Sequence, residues 1–299
     1  MTATIGFVGL GAMGDPMARR LAAAGHALVL LDADSARAQA LAAALGARAV
    51  ADAAALAGAT DTIITMLPTS AVVATVLDVA LPALGPNTLV IEMSSGSPSA
   101  TKALAARVAA SGGTLIDAPV SGGVPRARDG SLAIMAGGAA AAIDRAEPLL
   151  RAMGGSVTRT GEVGSAHAMK ALNNLVSAGG FLIGIEALLI GQRFGLDPAM
   201  MVDVLNASTG MNNSTQKKFR QFVLSRKFDA GFGLDLMVKD LSTALEVARE
   251  GATPAPFSAH CREMWAAAAA LLGPGRDHTE LARLSETMAG TELGGNNAA

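Results

Sequence analysis

The chain has 299 residues, of which 51% are hydrophobic, 16% charged and 3% aromatic, and its net charge is −2. Single cores rarely grow beyond about 250–300 residues, so two domains are expected. Residues 1–165 hold 11 basic and 12 acidic side chains and residues 166–299 hold 12 and 13, an even spread that excludes a basic nucleic-acid-binding surface.

Residues 4–8 form a predicted strand, followed by a glycine-rich turn and a helix running to about residue 24. The apolar run 5–13 is preceded by no basic residue, so it does not read as a signal peptide. Residues 27–31 are a second strand and 35–45 a helix. Residues 62–67 are a strand stopped by Pro68, 88–93 a further strand and 99–110 a further helix. Segments 114–117 and 132–136 are strand-like. Strands alternating with helices of this length predict a doubly wound parallel sheet.

Strand signals stop near Gly161. Residues 166–194 read as one long, mostly apolar helix. Helices follow at about 198–207, 213–224, 233–250, 255–272 and 278–288, and 294–299 read as a disordered tail. The mean hydropathy of +0.40 raises the question of a membrane span. Two uncharged stretches are candidates. Residues 62–77 are broken by Pro68, and residues 171–185 contain Asn173, Asn174 and Ser177. Both are shorter than the roughly 18–20 residues a span needs, so no membrane association is expected. The expected division is therefore an α/β domain at 1–165, an all-α domain at 166–295 entered through the helix 166–194, and a tail at 296–299. Gly179, Gly180 and Gly184 inside that helix imply close helix contact, within the all-α domain or across a dimer.

Chemistry is concentrated in three segments. Gly9-Leu10-Gly11-Ala12-Met13-Gly14 is a G-x-G-x-x-G between a strand and a helix, and Asp32 ends the second strand eighteen residues later. This is the context of a dinucleotide site of the Rossmann type: tight turn at Gly9, close approach of phosphate at Gly11, close packing at Gly14, and helix N–H groups facing the pyrophosphate. Asp32 suits the ribose hydroxyls and repels a 2′-phosphate. Ala33 follows it, so NAD is favoured over NADP, with Arg37 a more distant phosphate partner.

Ser121-Gly122-Gly123 follows Asp117-Ala118-Pro119-Val120. It reads either as an ordinary turn or as an anion-binding concavity of unhindered N–H groups. Lys170 and Asn174, four apart, share a helix face with Asn173 beside them. They mark either a polar cleft or an exposed helix start. His167 reads as a structural or rim residue. The remaining histidines lack metal-site spacing, so no metal is expected. The single cysteine, Cys261, excludes an intrachain disulfide and fits a reducing cytoplasm.

Taken together these segments resemble the β-hydroxyacid dehydrogenases, the family of 3-hydroxyisobutyrate dehydrogenase and tartronate semialdehyde reductase, over about residues 4–290. Phe7-Val8 with the glycine turn matches the family's fingerprint, 117–123 its substrate segment, 161–174 its catalytic segment and Lys239-Asp240-Leu241 a later motif. Ser94-Ser95 falls where relatives hold a serine pair. Ala166 departs from the glycine common there.

The resemblance implies NAD(P)-dependent reversible oxidation of a 3-hydroxy acid to its semialdehyde. Lys170 is then the catalytic lysine, exchanging a proton with the reacting oxygen. As a base it would need a pKa well below the usual ~10.4. Ser121, Gly122, Gly123 and Asn174 would hold substrate, Ser95 and Lys239 would lie near the cofactor, and Phe232 near the nicotinamide or substrate. A homodimer or homotetramer is implied. The substrate is 3-hydroxyisobutyrate or a tartronate, succinic or other semialdehyde, selected around 124–126 and 210–216. A phosphogluconate-type enzyme would carry a histidine soon after the lysine, where Ala171-Leu172-Asn173-Asn174 stands. Imine reductases usually replace the lysine. A non-catalytic NAD-binding scaffold is the reading from a different class.

Overall fold

A computed structural model describes residues 4–294. The chain divides into two compact units, Met1–Lys170 and Ala171–Ala299. The division falls inside the long helix, five residues beyond the boundary expected at 165.

In the first unit the elements run β1 (Thr4–Val8), α1 (Gly14–Ala23), β2 (Ala27–Leu31), α2 (Ser35–Leu45), β3 (Arg48–Ala49), α3 (Ala53–Ala57), β4 (Thr62–Thr65), α4 (Ser70–Ala80), β5 (Leu89–Glu92), α5 (Pro98–Ala110), β6 (Thr114–Asp117), β7 (Val120–Ser121), α6 (Gly123–Asp129), β8 (Leu132–Gly137), α7 (Ala140–Met153) and β9 (Gly154–Gly161). The sheet order is β3-β2-β1-β4-β5-β6-β8-β7, with β9 beside β8. β1 to β6 pair in parallel, with Ile5 opposite Leu28 and Thr62, and Leu89 opposite Thr62 and Thr114. Parallel strands covered on both faces read as continuous apolar runs. Alternate residues feed opposite cores. Ile5, Phe7, Leu28 and Leu30 pack with Met17, Leu21 and Leu41, while Val8, Val29, Leu31 and Ile63 pack with Leu56 and Ala80.

The sheet is mostly parallel, as the sequence predicts, and β8 departs from that direction. β8 runs antiparallel to β6 and β7 and is reached from β7 through the short helix α6; antiparallel neighbours need no long crossover connection. The strand order reverses direction at β1/β4, the switch point where ligands bind at the carboxyl ends of such sheets. The glycine turn, Asp32 and the Ser94–Ser95 pair all follow carboxyl ends of parallel strands.

In the second unit α8 (Ser165–Phe194) continues from the first, followed by α9 (Pro198–Asn206), α10 (Asn213–Lys217), a wide turn at Phe219–Leu224, α11 (Leu234–Glu250), α12 (Pro256–Leu272), a tight turn at His278–Glu280 and α13 (Leu281–Ala289). The single helix expected over 213–224 is broken at Lys218, and that expected over 278–288 begins as a tight turn. The tail expected at 296–299 lies outside the described residues. The core gathers Phe181, Ile185, Leu188, Phe219, Leu241 and Trp265. A Cβ at Gly184 would lie 2.5 Å from the Phe219 ring, so the glycine in α8 serves contact within this unit.

By length and composition α8 is apolar enough to cross a membrane, with a mean hydropathy of 1.7 over its most apolar stretch. This corrects the expectation that no segment was long enough. More than half of that stretch is buried in the core of the protein, as in the central helix of an all-α domain.

Candidate active site

The glycine turn opens α1. Gly9 has φ +91°, and a Cβ there would lie 2.2 Å from the Met66 carbonyl oxygen; one on Gly14 would lie 1.8 Å from the Gly9 carbonyl oxygen. Both positions therefore require glycine. Gly11 differs: a Cβ there meets nothing within 4 Å. Gly11 and Ala12 face a hollow of about 590 Å³ that Arg19, Arg37 and Arg128 also line. Met13 is the residue before the helix and is half-buried. Leu10 is buried in the core, and its N–H is spent on Asp32 Oδ2 at 2.6 Å. Asp32 also accepts from the Asp34 N–H at 2.8 Å and from Arg37 at 3.3 Å. A tight turn, a free helix start, an open hollow and arginines around it fit a dinucleotide's phosphates.

After β5, Ser94 and Ser95 lead into Gly96. The Ser94 N–H donates to Glu92 Oε1 at 2.9 Å, and its hydroxyl accepts from the Leu67 N–H at 2.9 Å. Beneath this turn lies a buried charge cluster centred on His167, a residue the sequence reading left as structural or at a rim. His167 is 1% exposed. Its Nε2 lies 2.7 Å from Glu92 Oε2 and 2.9 Å from the Ser94 carbonyl oxygen. Its Nδ1 lies 2.8 Å from Thr101 Oγ1, whose hydroxyl donates to the Ser97 carbonyl. Both ring nitrogens thus face acceptors, the pattern of an imidazolium.

Asp117 Oδ2 stands 3.7 Å from Nδ1 and accepts from the His167 N–H, while Oδ1 accepts from the Gly164 N–H. Burial alone would lower the His167 pKa, but Glu92 and Asp117 outweigh it and hold it above the usual value. Glu92 moves the other way: burial opposes, and His167 with Ser94 holds its carboxyl below the usual range. For Asp117 burial wins, and its pKa is raised. Gly96 closes over the ring, since a Cβ there would lie 3.0 Å from His167 Cε1.

In the Ser121–Gly123 segment, Gly122 and Gly123 have φ +133° and +69°, and both are exposed. A Cβ on Gly122 would lie 2.4 Å from Arg126 Cδ. The segment therefore requires glycine, and it ends at the start of α6.

Lys170 and Asn174 sit one turn apart on α8, each 7% exposed. The exposed-helix-start reading of Lys170 is thus excluded. In the second unit Asn174 Nδ2 donates to Asp240 Oδ2 at 2.6 Å, and Asp240 Oδ1 is 3.3 Å from Lys239 Nζ. Asp240 joins the two predicted positions. Its signal in the sequence was its place beside Lys239, but only the fold brings it to Asn174. Asn173 donates to Asn174 Oδ1 at 3.1 Å. Phe232 is half-buried and packs edge-on against His278, with centroids 5.8 Å apart. The structure gathers the glycine turn with Asp32 in one unit, and Asn174 with Lys239 in the other.

Residues 4–161 match the family model for the NAD binding domain of 6-phosphogluconate dehydrogenase, and residues 164–285 that for the NAD-binding region of NADP-dependent 3-hydroxyisobutyrate dehydrogenase. The chain is 36% identical over 295 residues to 2-(hydroxymethyl)glutarate dehydrogenase of Eubacterium barkeri, covering 97% of each chain. It is 35% identical over 292 residues to 2-hydroxy-3-oxopropionate reductase of Escherichia coli, covering 97% of this chain and 99% of that one. Among solved structures, 3-hydroxyisobutyrate dehydrogenase of Mycobacterium tuberculosis with L-serine superposes with a TM-score of 0.88 at 32% identity, over 95% of this chain and 99% of that one.

Proposed function

The chain belongs to the β-hydroxyacid dehydrogenases, NAD(P)-dependent oxidoreductases acting on CH–OH, and on that premise we propose that it oxidises a 3-hydroxy acid reversibly to the semialdehyde, with 3-hydroxyisobutyrate as the reference substrate. The observation that carries this is the buried Lys170 one turn before an Asn174 fixed by Asp240 and Lys239.

Lys170 Nζ takes the hydroxyl proton during oxidation and returns it during reduction. Asn174 gives one amide N–H to Asp240, which leaves the other for a substrate oxygen. Ser121 and the N–H groups of Gly122 and Gly123 receive the substrate carboxylate. The dinucleotide supplies hydride acceptance and donation when bound. Gly9 to Gly14 would hold its phosphates and Asp32 its ribose, with Ser95 and Lys239 as the proposed nicotinamide-side residues. The Asp32 carboxylate is held by the Leu10 N–H and would repel a 2′-phosphate, which supports NAD over NADP.

The second unit is the substrate and dimerisation domain in this reading. Val176, Ile183 and Ile190 recur every seven residues along α8 and are 76%, 55% and 71% exposed, a stripe suited to a second copy of the chain in a homodimer or homotetramer. A single cysteine suits the cytoplasm. The test is a screen for NADH formation over 3-hydroxyisobutyrate, glycerate, 4-hydroxybutyrate and 2-(hydroxymethyl)glutarate. Turnover of at least one supports the reading. Cofactor binding without turnover of any would favour the NAD-binding scaffold.

A further inference from the structure

Lys218 stands where the helix expected over 213–224 breaks. Its backbone leaves the helical region, at φ −128° and ψ −44°, and the wide turn Phe219–Leu224 follows. Wide turns of this kind are frequent at functional sites. The side chain runs inward. Its Nζ lies 3.3 Å from Ser177 Oγ and 5.9 Å from the centroid of the Phe181 ring. Among the described residues no carboxylate is within ion-pair distance of it. Asp277 attracts it from further away, but that carboxylate is already engaged by the N–H groups of Gly231, Phe232 and Thr279. His278 is the other titratable group near it, and burial, helped by the Lys218 charge, outweighs Asp277 and holds that imidazole toward its neutral form. Burial lowers the Lys218 pKa to about 8, with Asp277 offsetting only part of the effect. A part-buried ammonium with no carboxylate in ion-pair range is stabilised by an anion that joins it.

The space for that anion is beside Ser177. Ser177 accepts from Lys218, so its own O–H can donate. It lines a hollow of about 130 Å³ together with Asn173, Asn212 and Asn213. Ser177 lies three residues after Asn174 on α8, about 4.5 Å further along the helix, the span of roughly three to four carbon–carbon bonds in an extended chain.

We propose that Lys218 and Ser177 form a subsite for a second carboxylate of the substrate, so that the enzyme prefers dicarboxylic hydroxy acids and semialdehydes to monocarboxylic ones. This rests on the assignment of Asn174 to substrate binding. Lys218 supplies the charge, Ser177 the hydrogen bond, and the chain between the two carboxylates spans the turn from Asn174 to Ser177. No bond is made or broken at this subsite.

The experiment compares 2-(hydroxymethyl)glutarate with 3-hydroxyisobutyrate in the unmodified enzyme, Lys218→Met, Lys218→Arg and Ser177→Ala, with circular dichroism confirming that each folds. The unmodified enzyme should favour the dicarboxylate at least tenfold in kcat/KM. Lys218→Met should lose about a hundredfold on the dicarboxylate, mainly through KM, and less than fivefold on the monocarboxylate. Lys218→Arg should recover part of the loss, and Ser177→Ala should lose less than Lys218→Met. Equal losses on both acids, or no preference in the unmodified enzyme, would overturn the proposal.

Calorimetric titration with glutarate separates this from the catalytic reading. Glutarate binding that Lys218→Met abolishes supports the subsite even without turnover of any hydroxy acid. Equal glutarate affinity in the two proteins overturns it. Inorganic phosphate displacing glutarate at equal concentration would overturn the choice of carboxylate.

Discussion

Two cations, one in each unit, meet different surroundings. In the first, His167 is clamped by Glu92 at 2.7 Å and Asp117 at 3.7 Å, with Thr101 and the Ser94 carbonyl taking up its N–H groups. In the second, Lys218 meets a serine hydroxyl and an aromatic face, and no carboxylate at close range among the described residues. A cation already satisfied holds structure. One left short of negative charge is suited to receiving it from a ligand. The same contrast runs along α8: His167 anchors its start to the sheet, and Lys170, Asn174 and Ser177, the residues proposed to meet substrate, follow on successive turns.

The largest effect on this contrast should come from His167→Leu. It leaves Glu92 buried beside no cation, and urea denaturation should show a loss of about 3–5 kcal/mol. Adding Glu92→Gln should recover much of that loss by removing the stranded charge. A loss below 1 kcal/mol would mean that the cluster is not a structural clamp.

Asp240→Asn keeps the shape beside Asn174 and removes the charge that pairs with Lys239. It should lower kcat/KM by about 10–100-fold, since small misplacements of positioning groups cost that much, while steady-state assays and thermal melts show little loss of stability. Gly11→Val should weaken NAD binding about tenfold or more by filling the open hollow, with stability changed by less than about 1 kcal/mol; fluorescence titration and melting curves measure the two. Gly14→Ala should behave oppositely and unfold readily, because the added Cβ meets the Gly9 carbonyl.

The pH dependence is the gentlest test. His167 has its pKa raised on folding, so its stabilisation is complete below the unfolded value near ~6.5 and is lost as pH rises through the folded value. Glu92 has its pKa lowered, so its stabilisation is present above ~4.3 and is lost as pH falls through the folded value. Lys218 has its pKa lowered to about 8. Between about 8 and the unfolded value near ~10.4 the unfolded chain binds the extra proton, so this group makes stability rise with pH there. Denaturation series across pH should show Lys218→Met without that rise.

Much of this could be read from the residues. β1, β2, α2 and β6 lie at the expected positions because each is a distinct apolar run or is bounded by a cap or glycine. Asp34 caps α2 by accepting from the Arg37 N–H, and Gly46 ends it in the left-handed region. α4 was missed because Ser70–Ala80 carries four valines, which read as β-formers, although Thr69 caps it. β9 was missed because it has two starting glycines and an exposed pattern.

The glycine turn, Lys170 and Asn174 were legible because their spacing is local. Glu92, Asp240 and the role of His167 were not, since each depends on partners 66 to 75 residues away: Asn174 with Asp240, and His167 with Thr101, Ser94 and Glu92. The break at Lys218 was hidden because residues 213–224 carry an unbroken helical pattern, and the core around Phe219 overrides it.

The most direct measurement is the turnover number of Lys170→Ala on whichever hydroxy acid the screen identifies, with NAD affinity measured on the same preparation. Loss of the proton-exchanging amine should lower kcat by about 10²–10⁴-fold while NAD affinity stays within about twofold. A Lys170→Ala enzyme that turns over within tenfold of the unmodified protein would contradict the account.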